Sequence, residues 1–351
     1  LYSPWVHRRL PDPREEEAET VRAEPPPYQP PAEVSPGIFL VPIPIPIPLR
    51  YVNCYLLRGP SGWTLVDTGF HDSLAEAAWP RALAHLAIRA QDIKQIVLTH
   101  YHPDHVGAAG WLQQLTGAPA FLPETEMEQF HRFWADGTGA MAERLQALFL
   151  GEGMDEATAS ALRRHHLQQV ERVRPLPELR PLAIDSRIAM GDGTYEVIWT
   201  PGHSDGLAVF WDARRSILLA NDMLLSGITP NVSVWPGSRP NPLADYLASL
   251  RRVAALGARL ALPGHRALIR DVAGRAREIL AHHAERLARV TDAAAASPGG
   301  ATAWEICRRI FPVDGLTLHQ VRFAMAETLA HLVYLCREGR LRKEGMRYLR
   351  A

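Results

Sequence analysis

Apolar and polar positions along the chain fall into blocks of different period. From about residue 37 to 122, strand-type runs (Tyr51 to Leu57, Trp63 to Val66, Ile96 to Leu98) alternate with a helical pattern over about 72–89. Strand, helix and strand joined by short connections predict an α/β layer. Between about 124 and 180 the period becomes that of helices, in MAERLQALFL and ATASALRRHHLQQVERV, which predicts a helical insertion. Strand-type runs return in SRIAM, TYEVIWT, LAVFW and SILLA, with a Gly-Asp-Gly turn at 191–193. A helix over about 242–256, a strand at 259–262 and a helix over about 266–290 follow. The Ala-, Ser-, Pro- and Gly-rich stretch 291–300 then reads as a linker, with a boundary near 295.

Two segments lack these periods. Residues 1–36 are rich in Pro and Glu and read as an extended arm. In PIPIPIPL at 42–49 every second amide donor is missing on one side, which predicts a sheet edge or a polyproline-type strand. The end of the chain reads as two helices and a hairpin turning at Glu344-Gly345, a winged-helix pattern. The expected organisation is an arm (1–36), a catalytic domain (37–295) and a winged-helix-like domain (296–351).

Composition narrows the classes. With 47% apolar residues in 351, there is material for one large core and a smaller appendage. Thirty-eight basic side chains balance thirty-eight acidic ones, so no global field draws the chain to nucleic acid or an anionic membrane. Prolines interrupt the longest apolar stretch, 38–49, well short of the roughly 20 residues of a membrane helix. The opening residues lack a signal-peptide core, and Cys54, Cys307 and Cys336 form no CxxC; both suggest a reducing cytoplasm. Any metal would be held by histidine and carboxylate.

Such residues are concentrated in LTHYHPDHVG at 98–107. Alternation in an extended segment puts His100, His102 and Asp104 on one face, and a turn into a helix brings His105 alongside. Imidazole and carboxylate at this density suit Zn, Fe or Mn better than Mg or Ca. The other histidines, including His71, His131, His165, His166, His282 and His283, show no second cluster in sequence and read as surface or packing residues. Phe130, Phe133 and Trp134 read as the core of the insertion.

The motif HxHxDH formed by His100, His102, Asp104 and His105 resembles the signature of the metallo-β-lactamase-fold hydrolases. LVDTGF with Asp67, TPGHSDG with His203, the run around Asp222, and LPGH with His265 follow that family's order over about 200 residues. The resemblance implies a four-layer αββα sandwich of glyoxalase II-like type, with a helical insertion and a winged-helix-like tail. It implies two divalent metal ions, zinc or else iron or manganese: one on His100, His102 and His203, the second on Asp104, His105 and His265, with Asp222 bridging. A metal-bridging hydroxide would then attack the substrate, Asp104 would orient it and move its proton, and Asp67 would fix a ligand histidine.

Departures from relatives sort the reactions. His102 stands where flavodiiron proteins have Glu, and 42 residues between Asp222 and His265 leave no room for a large inserted nuclease domain. Leu225 occupies the position where lactonases commonly carry Tyr. The first expectation is a hydrolase of a small thioester, lactone or related ester, with the insertion roofing the metals. The second is an endoribonuclease-like phosphodiester hydrolase helped by a tail with nine basic and five acidic residues. A mono-iron sulfur dioxygenase is a third. The apolar tail residues Leu329, Leu332, Val333 and Leu335, with Cys336, need a buried partner, in the chain or in a homodimer.

Overall fold

The computed structural model describes residues 26–135 and 138–351; most of the segment read as an arm, 1–25, lies outside them. A seven-stranded sheet runs in the order β1 (Ala32–Ser35), β2 (Ile38–Pro44), β3 (Tyr51–Gly59), β4 (Gly62–Val66), β5 (Ile93–Val97), β6 (Ala120–Pro123), β7 (Leu179–Leu182). It is antiparallel up to β4 and parallel from β4 to β7. A five-stranded sheet, ordered β12-β11-β10-β9-β8, is built from β8 (Arg187–Met190), β9 (Gly193–Trp199), β10 (Ala208–Asp212), β11 (Ile217–Asn221) and β12 (Leu260–Pro263).

Strand alternation explains the layers. Tyr55, Leu57, Val66 and Val97 of the first sheet meet Tyr195, Val197, Phe210 and Leu219 of the second in a core between the sheets. Their neighbours point the other way: Cys54, Leu56, Leu65 and Ile96 cluster with Trp79 and Ala75 of the helix Ser73–His85. Val209, Leu218 and Ala220 likewise join the cluster that holds Leu250 and Ile279 of the helices Pro242–Ala254 and Val272–Ala295. The result is the αββα sandwich that the resemblance implies. β1 pairs with Ile38–Leu40, so among the described residues β2 has β3 as its one strand neighbour along Pro42 and Pro44, as a chain lacking alternate donors requires.

The insertion supplies the helices Met127–Trp134, Thr138–Gly151 and Glu156–Val170, and it connects the parallel neighbours β6 and β7. Phe130, Phe133 and Trp134 are buried in it.

The stretch 291–300 is not the loose linker its composition suggests. The helix Val272–Ala295 is continuous, and only a turn at 296–300 precedes the tail. Alanine is the strongest helix former, and Val290 and Ala294 are buried. The tail contains the helices Ala303–Ile310 and Leu318–Arg337 and a three-stranded sheet ordered β13 (Ala301–Thr302), β15 (Arg347–Arg350), β14 (Leu341–Glu344). Leu329, Leu332 and Leu335 find their partners within this chain, in the same core cluster as the sandwich. Glu152, just after the insertion helix Thr138–Gly151, accepts from Tyr348 Oη (3.0 Å) and Lys343 Nζ (2.5 Å).

The seam between Val272–Ala295 and Leu318–Arg337 contains a histidine pair that has no counterpart in the sequence reading. His331 Nδ1 faces the carbonyl of Glu327 (2.8 Å) and therefore carries the proton, which leaves Nε2 to accept from His283 Nδ1 (3.2 Å). Burial pushes His331 down to about 4 and His283 to about 2. A depressed histidine contributes stability that is complete above its unfolded value near 6.5 and is lost as pH falls toward the folded value. For His331 the window is about 6.5 to 4 and the loss about 3 kcal/mol. Urea midpoints measured across that range should fall less steeply for His331→Gln than for the wild type; parallel slopes would remove the pair as a cause.

Candidate metal centre

Every motif singled out in the sequence lies just past the carboxyl end of a strand. Asp67 follows β4, the His100 to His105 motif follows β5, His203 follows β9, Asp222 follows β11, and His265 follows β12. These ends open on the same edge of the sandwich, where ligand sites of open α/β sheets form.

The local chain aims each group. Pro103 at the first position of the short helix Pro103–Val106 presets the turn that brings Asp104 and His105 back toward His100 and His102. Asp67, at a left-handed φ of 57°, lies beneath them; its carboxylate accepts from Thr99 N (3.0 Å), Thr99 Oγ1 (2.9 Å) and His105 Nδ1 (2.8 Å). His203 Nδ1 donates to the carbonyl of Asn231, and His265 Nδ1 to that of Tyr51, each at 2.8 Å. With Nδ1 occupied, each of these three rings presents Nε2 to the centre.

The seven side chains converge. His100, His102 and His203 offer nitrogens within 4.8 Å of one another, and so do the ligand atoms of Asp104, His105 and His265. Asp222 Oδ2 stands between the two groups, 3.5 Å from Nε2 of both His105 and His203 and 3.6 Å from that of His265. Nε2 of His105, His203 and His265 and Oδ1 of Asp222 are buried without a hydrogen-bond partner. Orphaned buried donor atoms are costly unless something else binds them, so this donor set fits cations. Burial and the neighbouring imidazoles hold His100 and His102 well below the ordinary histidine value, in the neutral form a metal requires. Against the cost of burial, Asp222, Asp67 and Asp104 hold His105 well above it, so a cation entering here displaces a proton.

Residues 47–265 match the metallo-beta-lactamase superfamily, and residues 287–348 match the metallo-beta-lactamase-like C-terminal domain. The chain belongs to the metallo-beta-lactamase superfamily. It is 42% identical to a metallo-beta-lactamase family protein of Thermus thermophilus, with a TM-score of 0.81 over 91% of this chain and 100% of that one. It is 27% identical over 305 residues to the probable metallo-hydrolase YqjP of Bacillus subtilis, which covers 84% of this chain and 91% of that protein. An atrochrysone carboxyl ACP thioesterase of Aspergillus fumigatus is 23% identical over 225 residues, 64% of this chain and 53% of that enzyme. This member of the metallo-beta-lactamase superfamily is therefore a metal-dependent hydrolase. Among the described residues, no helix is long and apolar enough to cross a membrane.

Four residues with no motif of their own complete the centre. Asn53 on β3 donates its Nδ2 to the carbonyls of Pro263 (3.0 Å) and Arg266 (2.9 Å), clamping the turn that carries His265. Tyr55 Oη adds a bond to Pro263 O (2.7 Å). Glu126, fully buried at the start of the insertion, joins two ligand loops by accepting from Tyr101 N (2.8 Å) and Ser204 Oγ (2.8 Å). Burial, opposed by these bonds, raises its carboxyl to about 7. Asn231, whose carbonyl holds His203, bonds through Nδ2 to Glu327 (3.2 Å) and to the carbonyl of Phe323 (3.4 Å) on the tail helix Leu318–Arg337. A polar residue inside an apolar strand run was the one sequence signal available, for Asn53.

Proposed function

We propose that the chain holds two divalent cations, zinc, iron or manganese, and hydrolyses a small ester, with thioesters the favoured class and lactones or related esters the wider one. The observation that carries this reading is the pair of three-residue donor groups with Asp222 in contact with both. His100, His102 and His203 would hold one cation, Asp104, His105 and His265 the other, and Asp222 both. When bound, the cations supply Lewis acidity, making hydroxide available near neutral pH and polarising the acyl carbonyl.

The remaining work falls to the chain itself. Against burial, His105 and His265 keep the Asp104 carboxyl well below the usual carboxylate range, so it is ionised and would accept a hydrogen bond from the attacking water and orient it. Asp104 is among the more exposed members of the seven. Leu225 is buried, with its carbonyl accepting from Arg275, so that position supplies no phenol to protonate a leaving alkoxide. A thiol, with a pKa near 8.5, leaves as the anion and requires no such donor. The thioesterase relative supports the same choice.

The tail favours a small substrate over nucleic acid. Its second helix, the element a winged-helix protein would lay in a groove, has Val321, Met325, Leu329 and Leu332 buried against the rest of the chain. Arg308, Arg309, Arg340, Arg342, Lys343 and Arg347 all bond within the chain. Elemental analysis beside a panel of thioesters, lactones, phosphodiesters and RNA tests the reading. The expected result is two metals per chain and thioester turnover, both diminished in His102→Ala. Cleavage of RNA without ester turnover, or a single iron with sulfur-dependent oxygen uptake, would overturn it.

A further inference from the structure

The tail helix Leu318–Arg337 carries one buried charge, Arg322, without a directly bonded partner among the described residues. Arg322 is only 9% exposed, yet among the described residues its guanidinium makes no hydrogen bond or ion pair, and its Nε is buried without a partner. It is wedged between aromatic rings, 4.9 Å from the centroid of Phe323 and 5.5 Å from that of Trp235. Rings at these distances fix the guanidinium and attract it weakly, but they leave its N–H donors unsatisfied. A buried arginine left in this state is costly, and its usual partner is a carboxylate or a phosphate, which its planar fork binds with two parallel bonds.

The position of Arg322 says where that partner would lie. Phe323, the next residue, bonds through its carbonyl to Asn231, and Asn231 holds His203. The ionised group whose field reaches Arg322 is the Asp104 carboxylate of the His100 to His105 motif; the Tyr101 phenol in the same motif is kept neutral by burial, which raises it well above its ordinary value. The other titratable groups around it are His165 and His166 of the insertion, His319 one turn earlier on the same helix, and Arg172 beyond them. Burial holds the three histidines below their ordinary value, so they bring N–H donors and no negative charge. Nε2 of His165 and both ring nitrogens of His166 are buried without partners. Arg172 is already opposed by Asp72 at 3.5 Å. Asp104 is the carboxylate facing this group, and the metal centre claims it.

We propose that Arg322 anchors an anionic group of the substrate, a carboxylate or a phosphate, held beside the acyl carbon, so that the natural substrate is an acidic thioester or ester. This rests on the hydrolase reading above and narrows its substrate class. The tail becomes part of the substrate pocket.

The test uses the metal-loaded full chain and paired substrates of equal length: a thioester with a neutral acyl chain, one ending in carboxylate, and one bearing a phosphate. Wild type should prefer an acidic member, and whichever of the two is favoured identifies the anion. In Arg322→Met that preference in kcat/KM should fall about 10- to 100-fold, mostly through KM, as loss of a charged hydrogen-bonded anchor predicts, while Arg322→Lys should retain part of it. Equal losses on neutral and acidic substrates, or no preference in the wild type, would overturn the anchor. Melting curves with glutarate or inorganic phosphate give a reading independent of turnover. Stabilisation of wild type that is absent in Arg322→Met would uphold the anchor even if no thioester were cleaved, whereas thioester cleavage with identical shifts in both proteins would remove the anchor and leave the hydrolase.

Discussion

Asp222→Asn is expected to bring bound metal to one equivalent or less and to lower ester turnover about a thousandfold, the scale of the several kcal/mol that cation catalysis supplies. The expectation follows from where Oδ2 stands, 3.5 Å from both His105 and His203 and 3.6 Å from His265, in contact with both donor groups. Against burial, His265 and His105 hold this carboxyl well below the usual range, so it is a full negative charge among imidazoles. The amide keeps the shape and loses the charge that makes two nearby cations tolerable. Elemental analysis and turnover on the same preparation decide the matter: a fully loaded variant working within tenfold of wild type would show that Asp222 does not join the two groups.

Gly264→Ala should do comparable damage without removing any ligand. A Cβ built there would lie 2.3 Å from Asp222 Oδ1 and 2.8 Å from His105 Cε1. The glycine does not sit at a positive φ, so the backbone accepts alanine and the collision falls on the ligands themselves. Overpacking costs about 1–3 kcal/mol, and a displacement of about an ångström at a reacting centre costs about a hundredfold in rate. Turnover should therefore fall by about two orders of magnitude in a protein that still folds. Gly139→Ala, where an added Cβ meets nothing within 4 Å, is the control. Equal activity of the two variants would mean that Asp222 and His105 can move aside without consequence.

His100, His102, Asp104 and His105 could be named from the chain itself because they crowd into six positions at one strand end, whereas His203, Asp222 and His265, lone residues at distant strand ends, were legible only through the resemblance of their motifs to the family's. The alternation of Tyr55 and Leu57 with Cys54 and Leu56 likewise predicts a sheet covered on both faces. The supports were invisible for the opposite reason. Asn53 reaches Pro263 across 210 positions, Glu126 reaches Ser204 across 78, and Asn231 reaches Glu327 across 96. Each is an ordinary polar residue until the fold closes. Composition misled at 291–300, where an Ala-rich stretch reads as spacer but continues a helix once Val290 and Ala294 gain neighbours to pack against. The histidines His283 and His331 lie 48 positions apart and pair only because two helices cross there.

The bolt formed by Asn231 has a consequence for how such chains diverge. Its carbonyl orients His203 while its side chain grips Phe323 and Glu327, and Arg286 pairs with Glu327 at 3.0 Å from a third element. The C-terminal segment is thus no exchangeable cassette. A recombinant that takes its last fifty residues from one parent and its sandwich from another inherits a mismatched latch beside the metals. Crossovers that leave a working enzyme have to carry the Asn231 loop, the Arg286 helix and the tail together as one heritable block.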